Sequence, residues 1–218
     1  MRLERCFFLL LNLAVSSAVS LPTVNLNAKG VIMRAFDQFR VKSCIDFKPR
    51  DSEDFYLNIQ KLNGCFSYIG QRIANGQNLS IGARCDTLGI VEHEILHALG
   101  FFHEQSRYDR DDYVQIVSAN ILPVNIHFFI ISTFSPYDYM SVMHYRKNAF
   151  TNGNGLTIIT IDPKFQDVIG QRLEMSPYDA KELNLLYSCS ECLQTVEQYG
   201  ENVEIIKICM FTFVLVQR

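Results

Sequence analysis

Three histidines and one glutamate carry the most explicit chemistry in this chain. His93 and His97 lie four apart within His93-Glu94-Ile95-Leu96-His97-Ala98-Leu99-Gly100-Phe101-Phe102-His103. On a helix that spacing stacks the two imidazoles one turn apart on the same face, where both reach one metal ion. Gly100 can take the left-handed conformation that ends a helix and turns the chain, so it can bring His103 back as a third ligand. Three nitrogen donors with a fourth position open describe a catalytic zinc site with one ion per chain, not a closed structural one. Glu94 is the only carboxylate fixed beside the ligands, which makes it the candidate general base.

The elements needed to position these residues are visible around them. Val31, Ile32, Ala35, Phe36 and Phe39 recur at helical spacing between polar residues, which predicts an amphipathic helix. Residues 21 to 27 before it look extended. Cys44 to Lys48, Phe55 to Ile59 and Cys65 to Gly70 read as strands, and Leu79 to Gly82 as a short fourth strand that could be an edge able to pair with extended peptide. Asp86 or Thr87 is a reasonable N-cap for the histidine helix. In Ser176-Pro177-Tyr178-Asp179 a cap, a first-position proline and a first-turn acid open a further helix. Regular pattern is sparse between the two.

Composition and charge bound the alternatives. The chain has 218 residues, 48% hydrophobic and 20% charged, enough for one sizeable globular domain. A net charge of −3 gives no reason to expect nucleic acid. Residues 1–20 have the pattern of a leader peptide: a basic start, an apolar run from Cys6 to Val15 too short to span a membrane, and small residues at Ala18-Val19-Ser20. The expected product is secreted and extracellular, with no integral membrane span. Six cysteines remain after residue 20, and an oxidising compartment favours pairing them as disulfides. Asn78-Leu79-Ser80 is a glycosylation sequon if its loop is exposed. Residues 21–189 form the expected domain. Residues 190–218 are a tail of unknown structure, with an apolar run from Ile208 to Val216.

The string from His93 to Tyr113 resembles the signature of the astacins, a metzincin family of zinc endopeptidases, and Ser141-Val142-Met143-His144-Tyr145 is similar to that family's Met-turn. Asn27 to Asp54 and Ile169 to Tyr187 look closest to the meprin branch. The resemblance implies an α+β fold of two lobes with a zinc cleft between them. It implies zinc on His93, His97 and His103, with Tyr145 as a weaker oxygen ligand that also stabilises the oxyanion, and Met143 beneath the metal. It implies disulfides Cys44–Cys189 and Cys65–Cys85, leaving the pairing of Cys192 and Cys209 open. Glu104 would meet the new N-terminus after activation. Arg172 resembles a basic residue near the primed-side pocket, which would favour acidic residues after the cut. Substrates would be proteins or peptides.

The chain also departs from the family. Only Leu21 to Leu26 separates the leader from family-like sequence, which leaves no room for a propeptide. Asn120 to Ser135 is shorter and more apolar than the family's loop, with Phe128 to Ile131 in place of polar residues, and nothing like an adhesion domain follows Cys189. These departures give the alternative expectation, a non-catalytic secreted binding protein on a degraded, shortened astacin scaffold. The charge run of Arg107, Asp109, Arg110, Asp111 and Asp112 is expected to be an ion-pair network around the zinc helix.

Overall fold

The computed structural model describes residues 17–20, 26–123 and 135–189. The chain opens with a strand, β1 (Ser17–Ser20), and the amphipathic helix α1 (Leu26–Lys42). The apolar residues spaced three and four apart in α1 (Ala28, Val31, Ile32, Ala35, Phe36 and Phe39) are all buried. The helix includes Leu26 and Asn27, which the sequence suggested were extended. β2 (Phe47–Pro49), β3 (Tyr56–Gln60), β4 (Cys65–Ser67) and β5 (Gln77–Ile81) follow. With β1 they form one sheet in the order β2-β1-β3-β5-β4.

The first four strands of that order run parallel, and only β4 is antiparallel to its neighbour. In β3 every second residue, Leu57 and Ile59, is buried, and Leu79 and Ile81 of β5 join them. α1 and the histidine-bearing helix α2 (Leu88–Ala98) cover this face in one apolar core. Phe47 of β2 lies between two aromatic residues of α1, stacked on Phe36 at 4.2 Å and edge-on to Phe39 at 5.7 Å.

Two expectations are corrected here. Leu79 to Gly82 is not an edge: β5 is an inner strand, and the edge beside it is β4, since the chain turns back after Gly76 and inserts β5 between β3 and β4. The Asn78 sequon accordingly lies on that inner strand and not in a loop, and the Asn58 side-chain amide donates to Asn78 Oδ1 at 3.2 Å. β1 consists of the last four residues of the segment read as a leader, and it is hydrogen-bonded in the sheet on both sides.

After α2 the chain is largely irregular. β6 (Val114–Ile116) and β7 (Ile158–Thr160) pair antiparallel, and α3 (Pro177–Leu186) closes the described region. A second apolar cluster of Val114, Tyr137, Tyr139, Ile158 and Ile169 forms this lower lobe. The fold is therefore α+β with two cores. Val142, Met143, Met175 and Leu183 reach from the lower half of the chain into the first core. α3 begins as its sequence predicts: Ser176 and Asp179 form a reciprocal capping box, with Pro177 at the first position. Both expected disulfides are formed, Cys44–Cys189 and Cys65–Cys85, with Cα separations of 5.5 and 5.7 Å. The expectations for residues 1–16, for Phe128 to Ile131 and for the 190–218 tail, including Cys192 and Cys209, fall outside the described residues.

Candidate zinc centre

α2 places its first two histidines as the spacing requires. Its N-cap is Thr87, in extended conformation, without a side-chain cap bond. The helix ends at Gly100, whose φ of +102° allows the chain to reverse. Gly100 N donates to His97 O and Phe101 N to Leu96 O, both at 2.9 Å, the paired bonds of a Schellman stop. This reversal returns His103 to the other two histidines. Ligand-capable atoms of His93, His97 and His103 all lie within 4.8 Å of one another. The Nε2 atoms of His97 and His103 are 3.1 Å apart.

The donor chemistry fits zinc. His93 Nδ1 lies 2.8 Å from Val142 O and His97 Nδ1 lies 2.7 Å from Phe101 O. A carbonyl accepts only, so each Nδ1 carries the proton and each Nε2 is left as a lone-pair donor. Burial, and then the neighbouring positive charges, hold His93 well below its ordinary pKa and push His103 down to about 3. Burial also lowers His97. All three imidazoles are thus neutral at physiological pH, the form that binds a metal.

Glu94 is buried beside them, and burial raises its carboxyl to about 7 against the opposing pull of Arg172. The Tyr145 ring lies 4.3 Å from that of His103, and burial pushes its phenol up. Met143 is fully buried in the first core, and its carbonyl accepts from Glu104 N at 3.2 Å. Arg172 stands at this site too. Its Nη1 donates to His144 O at 3.0 Å and to Gln171 O at 2.7 Å, and burial lowers its pKa to about 10. A Cβ on Gly89, in the first turn of α2, would fall 2.4 Å from the Arg172 carbonyl. Glycine therefore lets the helix start approach the backbone that carries the arginine.

Glu104 is buried among polar partners of its own. Among the described residues its Oε1 accepts from Asp138 N at 2.8 Å and from Arg107 Nη1 at 3.3 Å. Burial, the largest influence, raises it to about 8. Arg107 also grips both oxygens of Asp109 at 2.8 Å and donates to Ser135 O at 2.9 Å, so the expected ion-pair network has a buried arginine at its centre.

Sequence reasoning missed the residues that clamp the site from a distance. Asp179 accepts from Ser141 Oγ at 2.6 Å, Val142 N at 2.9 Å and Ser176 N at 2.8 Å. Val142 in turn presents its carbonyl to His93, so one capping carboxylate holds the turn that orients a ligand. Glu92 accepts from Met175 N, tying α2 to the start of α3. Gln105 Oε1 accepts from Tyr145 N at 2.9 Å, and His144 Nδ1 lies 2.7 Å from Tyr145 O. The first-turn position of Asp179 was visible in the sequence; its service to the distant turn was not.

A sequence model described as Astacin, a peptidase family, matches residues 20–188. The meprin A subunit beta of Rattus norvegicus is 50% identical over 189 residues, covering 84% of this chain and 27% of its own length. The meprin A subunit alpha of the same species is 49% identical over 175 residues, covering 77% of this chain and 23% of its own. Among solved structures, high choriolytic enzyme 1, a hatching enzyme zinc-protease from Oryzias latipes, superposes with a TM-score of 0.74. It has 36% identity and covers 81% of this chain and 91% of its own. The chain belongs to the astacin family of zinc metallopeptidases, on its meprin side, and zinc is the cofactor that the three histidines suit. It spans about a quarter of the length of the meprin subunits it matches.

Proposed function

We propose that this chain is a zinc-dependent endopeptidase that hydrolyses peptide bonds in proteins. The observation that carries the reading is the convergence of three neutral imidazoles, those of His93 and His97 fixed in tautomer by backbone carbonyls, with a buried carboxylate, Glu94, on one helix and its return turn. His93, His97 and His103 would hold the zinc, which would supply the Lewis acidity that makes water a nucleophile near neutral pH. Glu94 takes a proton from the attacking water and hands it to the departing amine. The Tyr145 hydroxyl donates to the carbonyl oxygen as negative charge develops there. Met143, buried in the first core, would form the apolar floor beneath the ligands, and Gln105 and His144 hold the backbone of Tyr145.

Substrate enters as an extended strand. β4 is one of the sheet's two edge strands among the described residues, and just past it Gly70 N donates to His97 O at 2.9 Å, which ties that edge to the zinc helix. A peptide added to β4 gains main-chain hydrogen bonds without demanding a sequence. Arg172 is the specificity candidate. Its charge lies close enough to Glu94 and Tyr145 to perturb both, so an acidic side chain following the scissile bond would be favoured.

Secretion is part of the same reading. It is supported by the leader-like start and by the two disulfides. Cleavage of a heat-denatured protein by the zinc-loaded chain, with Glu94→Gln as control, tests the activity. A folded, zinc-loaded chain that cuts nothing would leave the non-catalytic scaffold as the answer. A peptide-library profile tests Arg172, whose role is lost if no acidic preference appears after the cut.

A further inference from the structure

Two arginines stand together beside Tyr145 without a carboxylate paired to either. Arg146 follows Tyr145 directly, and two contacts lay its segment against the one that carries Arg172. Arg172 Nη1 donates to His144 O at 3.0 Å, just before Tyr145. Gly170 packs so closely on Arg146 that a Cβ there would fall 2.4 Å from the Arg146 Cα and Cγ. Its φ of +81° disfavours a side chain at the same place for a second reason.

The two charges act on each other. After burial, Arg146 is the next influence that lowers the pKa of Arg172. Like charges held this close are unfavourable until an anion joins them. The neighbouring Lys147 is neutralised by Asp167. Arg146 is exposed, and among the described residues its guanidinium makes no ion pair or hydrogen bond. Arg172 bonds to two backbone carbonyls, which leave its charge in place. A positive patch thus sits at the candidate site of a chain whose net charge is −3.

We infer that Arg146 is a second specificity-determining residue, which with Arg172 selects peptides carrying acidic side chains at both the first and the third residue after the scissile bond. A guanidinium fork matches a carboxylate, and two forks on adjoining segments match two of them. The spacing follows from the extended substrate. Alternate side chains of a strand share a face, so two acids that meet the same wall lie two residues apart.

This role presupposes the endopeptidase reading and the place of Arg172 in it, so binding is measured beside cleavage. Three peptides of one sequence carry glutamate at the first position after the cut, at the first and second, or at the first and third. Fluorescence anisotropy on the zinc-loaded Glu94→Gln chain gives their affinities, and kcat/KM on the parent chain gives their cleavage. The first-and-third peptide should bind about fivefold more tightly than the singly acidic one at low salt, the upper end for an exposed ion pair, and the advantage should shrink in high salt. Arg146→Gln should abolish that advantage, Arg146→Glu should invert it, and Arg146→Lys should keep part of it. No advantage in the parent, or one that survives Arg146→Gln, overturns the second arginine. An advantage confined to the first-and-second peptide overturns the assigned spacing. A parent chain that cuts none of the peptides, while binding them with this dependence on Arg146, refutes the endopeptidase reading and upholds the paired arginines.

Discussion

The candidate zinc ligands and the residues that hold them are organised in opposite ways. His93, Glu94, His97 and His103 come from eleven consecutive residues, brought together by one helix and one glycine reversal. Their supports come from far along the chain: Val142 for His93, Asp179 for Val142, and Met175 for Glu92. Local geometry makes the ligand set and non-local packing makes it rigid. Chemistry and stability can therefore be broken separately.

The largest expected effect is chemical and local. Glu94→Gln should lower kcat/KM by about 10³-fold, within the range a general base contributes, while zinc content and Tm stay near wild type. Equal loss of zinc would instead make Glu94 a structural member of the site.

On the non-local side the disulfides come first. In the chain-entropy model the Cys44–Cys189 bond, with a sequence separation of 145, contributes about 5 kcal/mol, and Cys65–Cys85, separated by 20, about 3 kcal/mol. Double serine variants compared by denaturant midpoint should rank in that order. A reversed order would show that the short loop near β4 carries strain or packing beyond its closure entropy.

Asp179→Asn sharpens the comparison, since it keeps the shape but leaves fewer acceptors for Ser141, Val142 and Ser176. Zinc affinity should fall about 10- to 100-fold, as for other partners that orient a ligand. Leu183→Ala, in the same helix and buried in the first core, is the control: it should lower Tm without a matching fall in zinc affinity. Competition with a chelator reads the difference, and equal affinity in the two variants would reduce Asp179 to a helix cap.

The smallest effect is a pH limb. Burial raises Glu94 to about 7 without metal, and a nearby cation favours the carboxylate, so with zinc bound the working pKa lies below 7. The base acts when deprotonated, so kcat/KM should rise with pH along an acidic limb below pH 7. A limb that falls with rising pH in this range would assign the titration to an acid instead.

What the sequence discloses follows the same division. The grouping of the three histidines, the Gly100 stop and the Ser176 cap depend on spacing over a few residues, and the structure forms all three. The two disulfides were legible only through resemblance to a family. The edge strand was misplaced because pairing order depends on where β5 inserts, which no local pattern records. The partners that hold Glu104 in the structure, Arg107 and the Asp138 amide, were not legible, because Asp138 lies 34 residues away along the chain. Small apolar residues such as Ala18 and Val19 suit a leader and a strand equally, so composition could not separate the two.

Stepwise return of zinc to the metal-free chain, followed by cleavage of a denatured protein, tests the central claim most directly. Cleavage should rise in proportion to added zinc and reach its plateau at one ion per chain, while the Glu94→Gln variant stays near background at every point. A chain that binds one zinc and stays inactive, or that cuts equally well without it, would contradict the account.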